Sequence, residues 1–410
     1  MGSKSYVFRL DTQLFILLIC SFFLSCNNYE PKKAHNILKT DENEKRNYDL
    51  SYNPFSCSDE VVQANLFTDI LLDEKNSYQL PAKIGSGQLK ELFLQIKKGY
   101  SLEQGTVSPL IKRQYHDFPH ALDVFVTTHL LLQGGGAVFL KDTEKTALLI
   151  AALGHDALHT GVFNSFLIRS KHKYAFEDGN ESIQEKRSLK FLLQILDSLE
   201  IFLPDEATKN DDRKTTFDYR KLISESILWT DMARHKEQIK AVNEILPLVL
   251  DKLKEARVNS DKSESSSGAS FVDIKNNIDL SGELSTEVRH LLAGFLLHCA
   301  DVSNLGKPWD ISEKWASLVC SEFFTQGDLE KKLNMKVSMN CDRTSTSIPQ
   351  SQLNFGKYVI EELYSLLSKI VNDGGNELLI NFNSNQKKWA EILSREETQG
   401  IPYEFRVKSM

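Results

Sequence analysis

The sequence predicts an all-α protein, and three observations support this. Apolar residues recur at helical spacing, for example at Leu89, Leu92, Phe93 and Ile96, which places them on one face of a helix. No stretch of the sequence sustains the two-residue alternation of a strand, and convincing hairpin signals are missing. Apolar residues make up 41% of the 410 residues, which is enough for a substantial core.

The first 26 residues contain a short apolar run. Lys4 and Arg9 precede apolar residues 14–24, and polar residues follow directly. The run is shorter than a typical membrane-spanning helix and has the length of a signal-peptide core. We therefore predict a signal or membrane-anchor segment over residues 1–26. A simple hydrophobic arm is the alternative.

The next part of the chain is polar and charged, and the helical patterns begin after it. We predict a linker over residues 27–53 and a single helical domain over residues 54–405. Within this domain, residues 257–272 are poor in apolar side chains and are expected to form a mobile insertion. The net charge of −7 and the absence of a basic footprint argue against nucleic acid as a partner. Six scattered cysteines without CxxC spacing indicate reduced thiols.

Glycine and aspartate mark the boundaries of two helices in the first half of the domain. Gly134 and the two glycines after it are expected to end the helix that carries His120, and Asp142 is expected to cap the next helix. The residues up to Leu153 are apolar on nearly every face, which predicts a central helix. Its end would deliver His155 and the following aspartate to the interior.

Four side chains predict a metal site: His120, His155, Asp156 and Asp301. Each histidine alone is more often an ordinary core or surface residue, but the conjunction is rare. A buried carboxylate is costly unless it is paired or bound to a metal. Two imidazoles with two carboxylates suit zinc, and carboxylates with water suit magnesium or manganese. Asp156 can bridge to a second ion.

Seven segments carry a family resemblance: Tyr115–Val124, Gly154–Asn164, Thr230–His235, His298–Asn304, Glu322–Asp328, Cys341–Arg343 and Ser351–Phe355. In order and spacing they resemble the catalytic domain of the class I 3′,5′-cyclic nucleotide phosphodiesterases. These enzymes are a branch of the HD-type metal phosphohydrolases. The resemblance covers about residues 54–400 and implies a compact multi-helix domain.

The resemblance also implies roles for individual residues. His120, His155, Asp156 and Asp301 match the ligands of a tight zinc-like site, and Asp156 would also hold a second ion, Mg²⁺ or Mn²⁺. His116 matches the general acid. Three residues match those that orient metal-bound waters: His159, Glu185 and Thr230. Other positions match the substrate pocket, with Gln352 bonding the purine and Phe355 and Val319 clamping it: Tyr115, Met232, Asn304, Val319, Phe323, Gln352 and Phe355.

The implied reaction is hydrolysis of 3′,5′-cyclic nucleotides to nucleoside 5′-monophosphates. A hydroxide activated by two metals attacks phosphorus, and His116 protonates the leaving O3′. Asn304 resembles members that prefer cAMP, so cAMP is expected to be favoured over cGMP. Two alternatives stay open: an HD-type hydrolase of another phosphoester, and a degenerate domain that binds nucleotide for regulation.

The sequence departs from the family's pattern at three places. Asp117 stands where the family usually has Asn, so its charge would either raise the pKa of His116 or point to solvent. Pro119 prefers the first helical turn, which places His116 just before the helix. Glu185 is followed by Lys-Arg-Ser, where the family usually has Asn-His-His.

The location and assembly of the protein are less determined by the sequence. The segment 1–26 would make it membrane-associated or exported, and a cytoplasm-facing catalytic domain is left open. Membrane association through that segment and a homodimer are further partner predictions.

Overall fold

A computed structural model of the chain describes residues 49–76, 78–81, 84–202, 218–263, 278–399 and 403. The described residues form α-helices joined by turns and contain no strand, which confirms the all-α prediction. The helices of the first half are α1 Glu60–Leu72, α2 Ser86–Leu102, α3 Phe118–Gln133, α4 Asp142–Gly154, α5 Asn164–Arg169, α6 Lys173–Glu177 and α7 Ile183–Ser198. The helices of the second half are α8 Tyr219–Leu228, α9 His235–Ser263, α10 Thr286–Asp301, α11 Trp309–Lys332, α12 Ile348–Phe355, α13 Glu361–Ile370 and α14 Asn372–Gln399.

Helix α4 lies at the centre of the core. All residues from Ala147 to Leu153 are fully buried, as their apolar pattern predicts. Helices α3, α7, α8 and α10 pack against α4. The helix begins at an exposed residue, but its last residues are buried, so they deliver His155 and Asp156 to a buried position.

The start of α4 is tied to the start of α10 by a buried ion pair. The Arg289 Nε donates to both carboxylate oxygens of Glu144, at 3.0 and 2.9 Å. The same guanidinium donates to the Leu284 carbonyl at 2.7 Å. These charge-assisted hydrogen bonds are stronger than neutral ones, so the two helices are held together at their N-terminal ends.

Helix α3 begins and ends where the sequence predicts. Asp117 is its N-cap, Pro119 lies in the first turn and Gly134 ends it. His116 therefore lies just before the helix, as Pro119 indicates. Proline is accepted in a first turn because that turn's N–H groups have no partner within the helix.

Two boundaries differ from the expectations. Asp142 does not cap α4; the N-cap is Lys141, whose N–H donates to the Glu144 carboxylate, and Asp142 is the first helical residue. Helix α9 continues to Ser263, so the first residues of the expected insertion 257–272 are helical. Once a helix is nucleated, extending it through charged residues is easy, and poverty in apolar side chains does not end it.

Several predicted segments lie outside the described residues. These are the signal or anchor segment 1–26, most of the linker 27–53, residues 264–272 of the insertion and most of the C-terminal end of the domain. Membrane association and the cellular location stay predictions. Among the helices that the structure describes, none combines the length and apolar character that crossing a membrane requires.

Candidate active site

Three helix ends meet at one point of the domain. His120 lies in the first turns of α3, His155 and Asp156 follow the last residue of α4, and Asp301 ends α10. Helices α3, α4 and α10 pack against one another. The four predicted ligands, which are far apart in the chain, are therefore neighbours in space.

We call His120, His155, Asp156 and Asp301 the metal-capable cluster. Each residue offers one atom, and these atoms all lie within 4.8 Å of one another. Nε2 of His120 lies 3.0 Å from Oδ1 of Asp301 and 3.6 Å from Oδ2 of Asp156. Nε2 of His155 lies 3.2 and 3.3 Å from the same two atoms. Two nitrogens and two oxygens thus converge on one small volume.

The metal-capable cluster fits a divalent cation. Oδ2 of Asp156 is buried and makes no hydrogen bond within the described residues, and such an atom is costly without a partner. Nδ1 of His155 donates to the Ala152 carbonyl at 2.9 Å, so Nε2 is the nitrogen that faces the carboxylates. Burial acts to raise the pKa of Asp301, but the His155 and His120 imidazoles hold it well below its usual range.

Tyr100 of α2 fixes the turn that carries Asp156. Its hydroxyl donates to the Leu153 carbonyl at 2.8 Å and accepts from the Asp156 N–H at 3.3 Å. Leu158, two residues on, has a φ of +65°, a conformation that costs a side chain such as leucine free energy. Strain of this kind persists only where surrounding contacts hold the backbone.

A second group, which we call the acid cluster, consists of His116, His159 and Glu322. Nδ1 of His116 donates to Oε1 of Glu322 at 2.5 Å. The other oxygen of Glu322 accepts backbone N–H groups from Gln114 and Tyr115 at 2.9 Å each and a weaker one from His116 at 3.3 Å. The imidazoles of His116 and His159 are stacked, with centroids 3.9 Å apart.

The acid cluster holds one proton firmly. Burial acts to lower the pKa of His116, but the Glu322 charge and hydrogen bond outweigh it and raise that pKa to about 9. Burial and the charge of His116 lower the pKa of His159 to about 3. At neutral pH His116 is therefore a cation and His159 is neutral, with its Nδ1 accepting the Gly161 N–H at 3.1 Å.

Glu185 and Thr230 lie in a polar region beside the clusters. Glu185 accepts from the Asn164 amide at 2.9 Å, and burial, then the Asp231 charge, raise its pKa to about 7. The Thr230 hydroxyl donates to the Ile227 carbonyl at 2.8 Å, so only its lone pairs are free for a water. Asp231 accepts from the Ser182 hydroxyl at 2.7 Å.

The three residues after Glu185 have structural contacts of their own. Lys186 donates to the Asp178 carbonyl at 3.3 Å. The Arg187 guanidinium lies 3.3 Å from the Tyr174 ring centroid. Ser188 donates to the Ala157 carbonyl at 2.6 Å, directly after Asp156. The departure from the family's pattern thus leaves Glu185 supported by Asn164 and gives the Asp156 turn a hydroxyl contact.

Asp117 is partly exposed to solvent and makes local contacts. Its Oδ1 accepts the Phe118 N–H at 2.9 Å as part of the N-cap and lies 3.4 Å from NH2 of Arg113. Burial, Glu322 and the carboxylates of the metal-capable cluster are the leading influences on the pKa of His116. The charge of Asp117 is instead directed to Arg113 and to the start of α3.

The predicted pocket residues begin beside the two clusters. The Tyr115 ring lies 4.6 Å from the His120 ring and 5.4 Å from the Trp315 ring. Its hydroxyl donates to Oδ1 of Asn304 at 3.4 Å. Trp315 donates to the Asp123 carboxylate at 3.1 Å. Tyr115 and Asn304 are thus brought together as a pair.

Gln352 lies on α12, and Val319 on α11. These helices pack against each other, and Gln352 is hydrogen-bonded to the Cys320 thiol. Burial raises the pKa of this thiol to about 12, and the hydrogen bond partly offsets the shift. Val319 packs against the small cluster that contains Tyr115, whereas Phe355 packs against the main core. The structure thus places Gln352 beside the residue that follows Val319.

Two predicted pocket residues stand apart. Met232 is exposed in a short 3-10 turn, and Phe323 makes an edge contact with the Phe163 ring at 4.8 Å.

A π-helical turn, Gly356–Ile360, follows Phe355 directly. A Cβ on Gly356 would lie 2.5 Å from the Gln386 amide, so the Gln386 side chain packs closely against this turn.

Other histidines have structural partners. Nδ1 of His129 accepts from the Tyr78 hydroxyl at 2.7 Å. His298 is buried, and its Nε2 lies 2.9 Å from Nδ1 of His235. His298 lies one turn before Asp301, so this pair ties the end of α10 to the start of α9.

Residues 115–381 match the protein family described as 3′5′-cyclic nucleotide phosphodiesterase. The chain belongs to this family. The match contains the metal-capable cluster, the acid cluster and the predicted pocket residues. The expectation from the sequence motifs is thereby confirmed at the level of the family.

Curated relatives and solved structures agree with this membership. The chain is 28% identical over 290 residues to a Drosophila melanogaster dual specificity calcium/calmodulin-dependent 3′,5′-cyclic nucleotide phosphodiesterase 1, covering 70% of this chain and 29% of the relative. It is 31% identical over 262 residues to the 1B form from Bos taurus, covering 63% of this chain and 41% of the relative. The chain thus spans less than half the length of these relatives.

The fold is also found in solved structures. The phosphodiesterase domain of the Salpingoeca rosetta rhodopsin phosphodiesterase aligns with a TM-score of 0.64 at 24% identity. The alignment covers 86% of this chain and 94% of that domain. This likeness establishes the all-α phosphodiesterase fold of the described domain.

Proposed function

We propose that the protein hydrolyses 3′,5′-cyclic nucleotides to nucleoside 5′-monophosphates. The observation that carries the proposal is the pairing of a protonated His116 with a metal-capable cluster in one site of a family member. Cyclic phosphodiester hydrolysis needs positive charge at the phosphate and a proton for the leaving oxygen. The two clusters are suited to these two tasks.

Two divalent metals held by His120, His155, Asp156 and Asp301, with Asp156 shared, would supply the charge that binds phosphate and activates water. We propose Zn²⁺ at the tight position and Mg²⁺ or Mn²⁺ at the second. The imidazole nitrogens suit zinc, and the carboxylates suit both ions. The buried Oδ2 of Asp156, which makes no hydrogen bond within the described residues, is the atom available for sharing.

His116 is the proposed proton donor. Its Nδ1–H is held by Glu322 at 2.5 Å, so the proton on Nε2 is the one it can deliver to O3′ of the substrate. Proton delivery prevents the oxygen from leaving as a poor alkoxide. Glu322 stabilises the cation before transfer, and its three backbone N–H donors keep its carboxylate ionised.

Neutral His159, Glu185 and Thr230 are proposed to orient waters near the phosphate. His159 uses Nδ1 to accept the Gly161 N–H, which leaves Nε2–H as a donor. Thr230 can only accept, because its hydroxyl hydrogen goes to a carbonyl. The pKa of Glu185 near 7 allows it to accept or to donate at neutral pH.

We propose that cAMP is favoured over cGMP. Tyr115 donates to the Asn304 oxygen, which holds the amide in place beside His120. An amide here suits adenine, which presents an amino donor beside a ring-nitrogen acceptor. Asn304→Ala should then lower kcat/KM for cAMP about tenfold, the value of one specific polar contact, and change that for cGMP less.

Comparable use of cGMP is the second candidate, because the relatives in the comparison are named dual specificity enzymes. The ratio of kcat/KM values for cAMP and cGMP decides between the two. A ratio near one for the unmodified chain would reject the cAMP preference but would leave cyclic nucleotide hydrolysis intact.

The proposed function is tested by assaying the full chain with cAMP and cGMP, with and without a chelator. His116→Ala is expected to lose roughly 10²- to 10⁴-fold in kcat, the range for general acid catalysis. His172→Ala is the matched control, because its ring contacts Tyr174, which belongs to neither cluster. Binding of cyclic nucleotide with metal but no turnover would instead favour a degenerate regulatory domain.

A further inference from the structure

Arg113 lies three residues before His116, and its side chain is buried. Its NH1 donates to the His159 carbonyl at 2.7 Å, and its NH2 lies 3.4 Å from Oδ1 of Asp117. The guanidinium therefore joins the segment that carries His116 to the segment that carries His159. These two segments are far apart in the chain, and their imidazoles are stacked.

The stem of Arg113 also lies against the turn that follows His159. Gly161 has a φ of +76°, and a Cβ there would lie 3.3 Å from Cβ of Arg113. Only glycine combines this conformation with so close an approach. The Gly161 N–H donates to Nδ1 of His159. Arg113 thus supports both the carbonyl of His159 and the residue that orients its ring.

Asp117 completes this arrangement on the other side of His116. Its carboxylate caps α3 and lies beside the Arg113 guanidinium. His116 lies between these two charged residues in the chain, and its N–H and ring both contact Glu322. The backbone on either side of His116 therefore has little freedom to shift.

We infer that Arg113 is a positioning residue for the proton-donating step. With Asp117, it holds the imidazoles of His116 and His159 in their stacked arrangement. The inference rests on the proposed function, because it assigns Arg113 to the His116 step. Displacing a catalytic group by about 1 Å can cost as much as 10²-fold in rate. The contacts of Arg113 with the His159 carbonyl and with Asp117, which we call the clamp, would prevent such a displacement.

A purely structural role is the alternative, and the contacts of Arg113 allow the two roles to be separated. Its Nε is buried without a hydrogen-bond partner in the described part of the chain. Removing one partner of an ion pair is most costly when it leaves a buried charge unpaired, and the Asp117 side chain is partly exposed. Arg113→Met is therefore expected to remain folded while it loses the clamp.

The test compares two substrates with different leaving groups. One is cAMP, and the other is its analogue with sulfur in place of the bridging O3′, because a thiolate leaves without being protonated. For Arg113→Met we expect kcat with cAMP to fall about 10- to 100-fold, within the range for a misplaced catalytic group, with KM nearly unchanged. The analogue should lose less than about threefold, because it needs no general acid.

The matched control is Arg289→Met, which removes another buried arginine at the far end of α4 and α10. It is expected to lower the thermal midpoint without separating the two substrates. Arg113→Lys keeps the charge but not the planar guanidinium with its two donating nitrogens. It should therefore show the same difference between the two substrates as Arg113→Met, but a smaller one. Asp117→Asn retains the cap and should lose only about two- to fivefold on cAMP, as expected for a partly exposed ion pair.

His116→Ala in the same assay separates the inference from the proposed function. If His116→Ala slows cAMP far more than the analogue but Arg113→Met slows both equally, the positioning role is wrong and the acid assignment stands. If His116→Ala itself does not distinguish the substrates, the acid assignment is wrong, and the inference is overturned with it. Metal content and thermal midpoint are measured for every variant to show that the folded, loaded protein is compared.

Discussion

The metal-capable cluster and the acid cluster contain the same two kinds of side chain. In both, histidine nitrogens and carboxylate oxygens lie within 4.8 Å of one another. In the metal-capable cluster the nitrogens and oxygens converge, and Oδ2 of Asp156 makes no hydrogen bond with any described residue. In the acid cluster the two imidazoles are stacked, and both oxygens of Glu322 already accept hydrogen bonds.

The carboxylates of the two clusters differ in the same way. Glu322 already accepts hydrogen bonds from three backbone N–H groups and from the His116 ring. Its lone pairs are therefore occupied by hydrogen-bond donors. Among the described residues, the Asp301 carboxylate is hydrogen-bonded only to the two histidines that would also be metal ligands. The comparison teaches that residue type alone does not distinguish a metal site from a proton site. The distinction comes from ring orientation and from the backbone donors around the carboxylate.

The largest effect is expected from Asp301→Ala in the metal-capable cluster. A catalytic metal supplies several kcal/mol of transition-state stabilisation, so kcat/KM should fall by about 10³-fold or more. Bound metal, measured by elemental analysis after dialysis, should fall together with activity. The control is Asp328→Ala, which removes an exposed carboxylate paired with Arg343. Full activity in Asp301→Ala would show that this cluster is not the metal site.

The next effect is expected from Glu322→Gln in the acid cluster. The variant removes the charge that raises the pKa of His116 to about 9, so the acid form is lost at lower pH. At pH 8 we expect kcat/KM to fall about 10²-fold, the lower end for general acid catalysis, and the alkaline limb of the pH profile to move towards neutral pH.

Metal content sharpens this result, because Glu322→Gln should leave it unchanged. Glu330→Gln is the matched control: Glu330 is buried on the same helix but contacts Arg169 and Ser338 instead. A fall in metal content on Glu322→Gln alone would mean that the acid cluster also binds a cation, and the distinction between the clusters would be lost.

A smaller effect is expected from His159→Asn. The variant removes the ring stacked on His116 and the neutral donor near the phosphate, and supporting residues of this kind are typically worth 10- to 100-fold, so we expect about tenfold in kcat. His129→Asn is the control, since His129 is a buried histidine whose hydrogen-bond partner is Tyr78. An unchanged kcat in His159→Asn would contradict a role for the stack.

The sequence reveals the metal-capable cluster better than the acid cluster. His155 and Asp156 end a helix that is apolar on every face, so their burial follows from local pattern. Glu322 lies on a helix that also carries exposed residues, where charged side chains are normally solvated. Its burial against residues 114–116, about two hundred positions earlier, depends on tertiary packing that no local pattern encodes.

Arg113 and Asp117 show the same limit at the start of α3. The capping role of Asp117 is local and could be inferred from the proline that follows. Its contact with Arg113, and that of Arg113 with the His159 carbonyl, depend on how the two segments meet. The all-α class, the ends of α3 and the core helix α4 were predictable because periodicity and helix-stop residues are local signals.

The smallest expected effect is on stability as a function of pH. The pKa of His116 is raised to about 9. Its contribution to the free energy of unfolding is therefore complete below about 6.5, the pKa of an unfolded histidine, and is lost as pH rises through 9. The pKa of Glu322 is lowered to about 2 by His116 and its hydrogen bonds against the effect of burial. Its contribution is present above about 4.3 and is lost as pH falls towards 2.

Thermal midpoints of the wild type and of Glu322→Gln, measured from pH 3 to 10, check this expectation. Their difference should be greatest between about pH 4.3 and 6.5, where the ordinary pKa values of Glu and His place the full contribution of both groups. A difference that does not vary with pH would mean that the pair contributes nothing through its charges.

The ion pair between Glu144 and Arg289 has a consequence for how the domain opens. It fastens α4 to α10 at one end, while the metal-capable cluster joins the opposite ends of the same two helices. Chelation would therefore release one end only. Amide hydrogen exchange should accelerate in the last turns of both helices and stay unchanged near their first turns. The loss of metal would then loosen both helices progressively towards their C-terminal ends.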